Sequence, residues 1–154
     1  MEVKLQIKNE QETDKLGLIV AELVFAGFLI VMSGDLGAGK TRFAKSLGKG
    51  LGIDKVIKSP TFNILRVYEE GRLPFYHIDA YRLEGMVQDL GFEEFIEGEG
   101  VCLIEWYKYL EYMLPNEYLK IDINIVSDNE REFILSSNSP KYESVIEQVI
   151  KQWK

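Results

Sequence analysis

The sequence predicts an α/β fold: a three-layer sandwich whose central sheet is mostly parallel, with an antiparallel hairpin and flanking helices. Three observations predict it. The apolar run Phe28-Leu29-Ile30-Val31-Met32 leads directly into Gly34-Asp35-Leu36-Gly37-Ala38-Gly39-Lys40-Thr41, and helical spacing resumes at once with Phe43, Leu47 and Leu51. Val101-Cys102-Leu103-Ile104 is a second unbroken apolar run, the mark of a strand buried on both faces. Between them, 63–68 and 73–79 flank Glu69-Glu70-Gly71-Arg72, whose chemistry suits a hairpin turn.

Taken in order, Val3, Leu5 and Ile7 alternate with polar residues as in a half-buried strand. Asn9 followed by Glu12 reads as an N-cap with its acidic partner, opening a helix over 10–25 whose Leu16, Ile19, Val20, Leu23 and Val24 face the core. Gly27 releases the chain into the strand that precedes the glycine-rich loop. The helix after that loop starts at about Gly39 and stops near Gly52, a residue suited to a left-handed cap. Pro60 disfavours a helical Ser59, so Ser59-Pro60-Thr61-Phe62 is read as a loop leading into the hairpin. Residues 86–96 read as two short helical pieces hinged at Gly91, acidic, with Phe92 and Phe95 exposed. After the strand ending in Glu105, a short helix over 107–114 is closed by Pro115, strands follow over 119–126 and 131–136, and Ser139-Pro140 opens a terminal helix. Its apolar stripe is Tyr142, Val145, Ile146, Val149, Ile150 and Trp153.

The eight residues from Gly34 satisfy G-x-x-x-x-G-K-[ST] at every fixed position, and their strand-to-helix setting is that of a phosphate-binding loop. Glycines let the backbone curl around an anion with its N–H groups inward, while the following helix aims its positive dipole end at the same place. Lys40 supplies a point charge for the β- and γ-phosphates, and Thr41 a hydroxyl oxygen for Mg²⁺, a hard cation that takes few protein ligands. The fold expected is therefore of the P-loop NTPase type.

With 154 residues, 46% hydrophobic and 12% aromatic, the chain reads as one domain over 1–154. Its apolar runs fall short of the roughly 18 residues of a membrane span, and its start lacks a signal-peptide core, so a cytoplasmic protein with no membrane association is expected. The single cysteine, Cys102, excludes an internal disulfide and reads as a buried small hydrophobe. A net charge of -7 repels polyanions, and Lys45, Lys49, Lys55 and Lys58 read as a solvated face, which favours a protein partner over RNA.

Hydrolysis or transfer needs a held metal and a positioned attacking group. Glu105 follows four apolar residues, as an acid does at the carboxyl end of a buried strand, where open α/β sheets bind their ligands. It is read as orienting Mg²⁺, directly or through a water. In His77-Ile78-Asp79-Ala80-Tyr81-Arg82, alternation sets His77, Asp79 and Tyr81 on one face. By residue type, Asp79 either aligns an attacking water, anchors a loop through Mg²⁺, or is a structural carboxylate paired with Arg82. For His77, a structural role is preferred to that of a base, because phosphoryl transfer is dominated by positioning and electrostatics.

Together, the loop, Ser59-Pro60-Thr61-Phe62, His77-Ile78-Asp79-Ala80-Tyr81-Arg82 and Gly100-Val101-Cys102-Leu103-Ile104-Glu105-Trp106 resemble the TsaE (YjeE) family of small bacterial ATPases required for threonylcarbamoyladenosine formation on tRNA. The resemblance spans most of 13–131. It implies that Gly37, Ala38, Gly39, Lys40, Thr41 and Arg42 wrap the triphosphate of ATP, that Thr41 and Glu105 ligate Mg²⁺, and that Asp79 is an essential acid at the γ-phosphate. It further implies a switch-like Thr61, a Thr13 near the adenine, a Trp106 beside the nucleotide and an Arg131 approaching it. Arg42 and Tyr107 depart from the threonine and proline common at these positions in the family. The implied activity is ATP hydrolysis, weak alone and stimulated by a TsaB–TsaD complex that modifies adenosine 37 of ANN-decoding tRNAs, so that tRNA is met only indirectly. Without N-K-x-D, or a D-x-x-G after the loop, a GTPase is disfavoured; a small-molecule kinase and a nucleotide-dependent protein-binding module are the alternatives.

Overall fold

The computed structural model of the protein describes residues 1–35, 37–55, 57, 64–80 and 91–153. Its elements, in chain order, are β1 (Glu2–Ile7), α1 (Glu10–Leu23), β2 (Leu29–Gly34), α2 (Lys40–Gly50), β3 (Leu65–Tyr68), β4 (Phe75–Asp79), α3 (Glu93–Ile96), β5 (Val101–Glu105), a 3₁₀ helix (Tyr107–Met113), β6 (Leu119–Ile125), β7 (Arg131–Ser136) and α4 (Pro140–Trp153). The seven strands form one sheet in the order β1-β7-β6-β2-β5-β4-β3. Its centre, β6-β2-β5-β4, is parallel. The expected hairpin β3-β4 is antiparallel at one edge, and β6-β7-β1 adds antiparallel pairing at the other.

Period-two alternation divides the central strands between two cores. Ile30, Met32 and Leu103 face α1, α2 and α4, whose Leu16, Val20, Phe43, Leu47, Ile146 and Val149 close that side. Leu29, Val31, Ile78, Cys102 and Ile104 face the other side, covered by Phe92, Ile96, Tyr107 and Leu110. Burying the central strands on both faces is what makes their sequences continuously apolar. Burial also pushes the Cys102 thiol well above its ordinary range, so it is a packing group and not a nucleophile.

α1 begins as its sequence requires. The Glu12 N–H donates to Asn9 Oδ1 at 3.0 Å, and the Glu12 carboxylate accepts from the Lys8 N–H at 2.7 Å. Replacing Asn9 with Ala should cost about 1 kcal/mol and lower Tm by roughly 2–4 °C, as thermal unfolding would read.

Several details differ from the sequence expectation. α1 ends at Leu23, because Val24 turns extended and Phe25 leaves the helix to meet Phe28 edge-on at 4.9 Å and Tyr142 at 5.5 Å. Phe92, expected to be exposed, is buried against the second core. The segment after Glu105 winds as a 3₁₀ helix that runs from a left-handed Trp106 to an extended Leu114, the conformation favoured before Pro115. β6 stops at Ile125, one residue early, and Val126 is exposed. Residues 86–90 of the expected acidic pieces, the loop 59–62 and Lys58 lie outside the described residues.

Candidate functional site

Because β2, β5 and β4 run parallel, their carboxyl ends share one edge of the sheet, and that edge gathers what the chain offers for chemistry. β2 delivers the glycine-rich loop, β5 delivers Glu105, and β4 delivers Asp79 directly opposite Glu105 in the register. Main-chain bonds fix these ends to one another: the Ala80 N–H donates to the Glu105 carbonyl at 3.0 Å, the Trp106 N–H to Met32 at 3.2 Å and the Asp79 N–H to Ile64 at 2.7 Å. Among the described residues, the two non-glycine residues with positive φ, Ile64 at 65° and Trp106 at 57°, both adjoin these acids. Left-handed backbone at a β-branched or aromatic residue costs about 1–3 kcal/mol, and it persists here because the surrounding bonds over-determine it.

In the loop, Gly37 (φ 82°) and Gly39 (φ 109°) adopt the backbone that only glycine enters freely. Gly39 is the N-cap of α2 and, unlike Asn9 before α1, brings no side-chain oxygen to the first turn. The helix therefore opens with donors and a positive dipole end left for an anion. Lys40, with only 6% of its surface exposed, donates from Nζ to the Gly34 carbonyl at 2.5 Å and lies 4.2 Å above the Trp106 ring. Burial lowers the Lys40 pKa, while the carboxylates of Glu105, Asp79 and Asp35 act in the opposite direction. Glu105 (3% exposed) and Asp79 (5% exposed) are themselves buried at the site.

The other expected residues divide into those the fold brings to the loop and those it does not. A cleft of about 90 Å³ is lined by Thr13, Gly37, Ala38, Gly39, Arg42 and Arg131, together with Asn9, Glu10, Asp128 and Asn129. Arg131, expected to approach a nucleotide, lines this cleft and donates to main-chain carbonyls: Nε to Ala38 at 3.2 Å, Nη2 to Gly37 at 3.4 Å and Nη1 to Ser127 at 2.7 Å. It braces the loop against the β6–β7 turn. Arg42 turns its guanidinium to α1, with Nε and Nη2 on the two oxygens of Asp14 at 2.9 and 2.7 Å and Nη1 on Glu10 at 2.7 Å. What Arg42 can offer a phosphate is its main chain. Thr41 is half-buried in the first turn of α2 and is among the residues that line a groove with Asp14. Thr61, Tyr81 and Arg82 lie outside the described residues.

Four residues at the site, Asn9, Asp128, Asn129 and His77, go beyond the sequence expectation. Asn9 was read only as a helix cap, yet it also lines the cleft beside Thr13. Asp128 and Asn129 sit in a polar turn between two strands, directly before Arg131, and that placement was the available signal. His77, fully buried, meets Glu105 Oε2 through Nε2 at 2.5 Å, a contact set by pairing between two strands distant in sequence.

The donor set suits a magnesium triphosphate. An uncapped helix start, a buried ammonium and two buried carboxylates converge, while among the described residues no cluster of three or more His, Cys, Asp or Glu stands ready to cage an ion. Mg²⁺ fits such a site because it keeps waters and takes most other ligands from substrate phosphates.

The chain is similar to known proteins in both sequence and fold. Residues 7–133 match the family described as threonylcarbamoyl adenosine biosynthesis protein TsaE. A relative from Bacillus subtilis named tRNA threonylcarbamoyladenosine biosynthesis protein TsaE is 40% identical over 148 residues, 96% of this chain and 94% of the relative. A Treponema pallidum protein of the same name is 40% identical over 131 residues, 84% of this chain and 96% of the relative. The crystal structure of Bacillus subtilis YdiB superposes with a TM-score of 0.87 at 35% identity, covering 100% of this chain and 97% of that one. A phosphate-loop α/β sheet with these acids at its strand ends, matched in sequence over most of its length, belongs to the TsaE family.

Proposed function

We propose that the chain is a Mg²⁺-dependent ATPase that serves the formation of N6-threonylcarbamoyladenosine at position 37 of ANN-decoding tRNAs, hydrolysing ATP in association with a TsaB–TsaD complex. The observation that carries this reading is the buried Lys40 ammonium at the mouth of a glycine loop, with Glu105 and Asp79 at the neighbouring strand ends. In this reading residues 37–42 wrap the triphosphate, Lys40 Nζ binds it, and Thr13 borders the base. Thr41 and Glu105 would hold magnesium, which when bound supplies charge neutralisation at the β- and γ-phosphates. Asp79 orients the attacking water, and Trp106 closes one side of the ammonium from solvent. Arg42 and Arg131 have their donors committed elsewhere, so neither guanidinium is aimed at a γ-phosphate. That supports slow turnover alone and a rate raised by partner-induced closure.

The test is ATP hydrolysis measured with and without purified TsaB and TsaD, alongside tRNA modification in the reconstituted mixture. Stimulated hydrolysis and modified tRNA are expected. Neither appearing, with the protein folded and binding nucleotide, would move the reading to a nucleotide-dependent binding module; phosphate transferred to a small acceptor would move it to a kinase.

A further inference from the structure

We propose that His77 is a positioning residue for Glu105, whose Nε2–H occupies one carboxylate oxygen and thereby fixes which oxygen faces the metal. The inference rests on the magnesium–ATP reading of the site. His77 is the single histidine of the chain and has no exposed surface. In the β4–β5 register it lies opposite Leu103, two residues before Glu105, and its ring reaches along the strand to put Nε2 2.5 Å from Oε2. A carboxylate that ligates a metal is ionised and only accepts hydrogen bonds, so in the metal-bound site this contact requires the proton on Nε2. The ring is held in plane by Phe75, stacked at 5.8 Å with 15° between the planes.

A purely structural role explains this arrangement poorly. His77 Nδ1 is buried with no hydrogen-bond partner, and leaving a buried polar atom unpaired costs about 1–3 kcal/mol. An apolar side chain would fill the same space without an unpaired nitrogen, but it would take from the buried Glu105 Oε2 its imidazole partner. What the imidazole adds is a rigid donor on the carboxylate, without the permanent charge that Lys or Arg would bring to a site meant for a cation. Hydrogen bonds of this kind to a ligating group set its orientation, and their loss typically weakens metal affinity about 10–100-fold.

The experiment compares full-length wild type, His77→Phe and His77→Gln by calorimetry with the non-hydrolysable analogue AMP-PNP, in EDTA and across a Mg²⁺ titration. His77→Phe should bind metal-free AMP-PNP as wild type does, yet need about 10–100-fold more Mg²⁺ to form the ternary complex. His77→Gln, whose amide nitrogen can stand where Nε2 stood, should recover most of that loss. An unchanged Mg²⁺ requirement in folded His77→Phe, or a His77→Gln no better than His77→Phe, would overturn the proposal. Should the variants not fold, ¹⁵N NMR of the lone histidine in wild type decides: a proton on Nε2 and a shift on adding Mg²⁺ to the AMP-PNP complex support the role, and a proton on Nδ1 or no response to Mg²⁺ removes it. Wild type that takes up no AMP-PNP with Mg²⁺ would instead reject the ATP reading itself, and this proposal with it.

Discussion

Lys40→Ala should abolish measurable ATP turnover and weaken Mg·ATP binding on the order of 10²-fold or more, since charge-assisted hydrogen bonds to phosphate contribute about 1.5–3 kcal/mol each and this ammonium is placed to make more than one. Lys40 is 6% exposed, so it meets a phosphate in a setting where water screens little. Its present partners, the Gly34 carbonyl and the Trp106 face, are contacts a phosphate oxygen can replace without moving the backbone. The variant also removes the cation that balances Glu105 and Asp79. Lys40→Met, which keeps the apolar stem, therefore belongs in the same experiment: if calorimetry shows Lys40→Met binding Mg·ATP as wild type does, the ammonium is not the phosphate ligand.

The second large effect is expected at the acids, where rate and affinity should separate. Asp79→Asn should lower kcat about 10²–10³-fold while ATP affinity changes little, because a group that aligns the attacking water acts in the transition state and not on the bound nucleotide. Equal losses in kcat and in affinity would contradict that role and assign Asp79 to binding. Glu105→Gln should in addition shift a pH dependence in a defined direction. Burial lowers the Lys40 pKa, and the Glu105 carboxylate is the largest of the causes opposing that shift. Without it the Lys40 pKa falls further, so metal-free ATP affinity, which requires the ammonium, is lost at lower pH in Glu105→Gln than in wild type. For folding the sign is opposite: a lysine pKa lowered in the folded state means the unfolded chain holds the proton more tightly. Lys40's contribution to stability therefore rises as pH climbs from its folded pKa to its unfolded value. Calorimetric affinity across alkaline pH, with EDTA present, reads the first effect.

How far these residues could be read in advance depends on the distance over which their chemistry is specified. The loop was legible because strand, glycines, lysine and helix are contiguous, and their conformational demands are local. Glu105 was legible as the polar end of an apolar run at the sheet edge, and Asp79 through the alternation that sets it on one face with His77. The burial of Phe92 was not, because the four-residue α3 is too short for its spacing to define a face. The roles of Arg131 and Arg42 were likewise beyond the sequence. A guanidinium offers five donors to whatever surrounds it, and only the packed chain shows that Ala38, Gly37 and Ser127 surround one while Asp14 and Glu10 surround the other.

The sequence by itself determined that a glycine loop joins a buried strand to a helix, and that two further strands end in carboxylates, because turn chemistry, periodicity and hydrophobic runs act between near neighbours. Only the tertiary structure decided which strands adjoin. The order β2-β5-β4 and its register put Asp79 beside Glu105 and His77 within reach of it, and they surround Lys40 with charge. Strand order and register follow from packing two apolar faces against separate helical layers, a long-range balance that no short stretch of residues encodes.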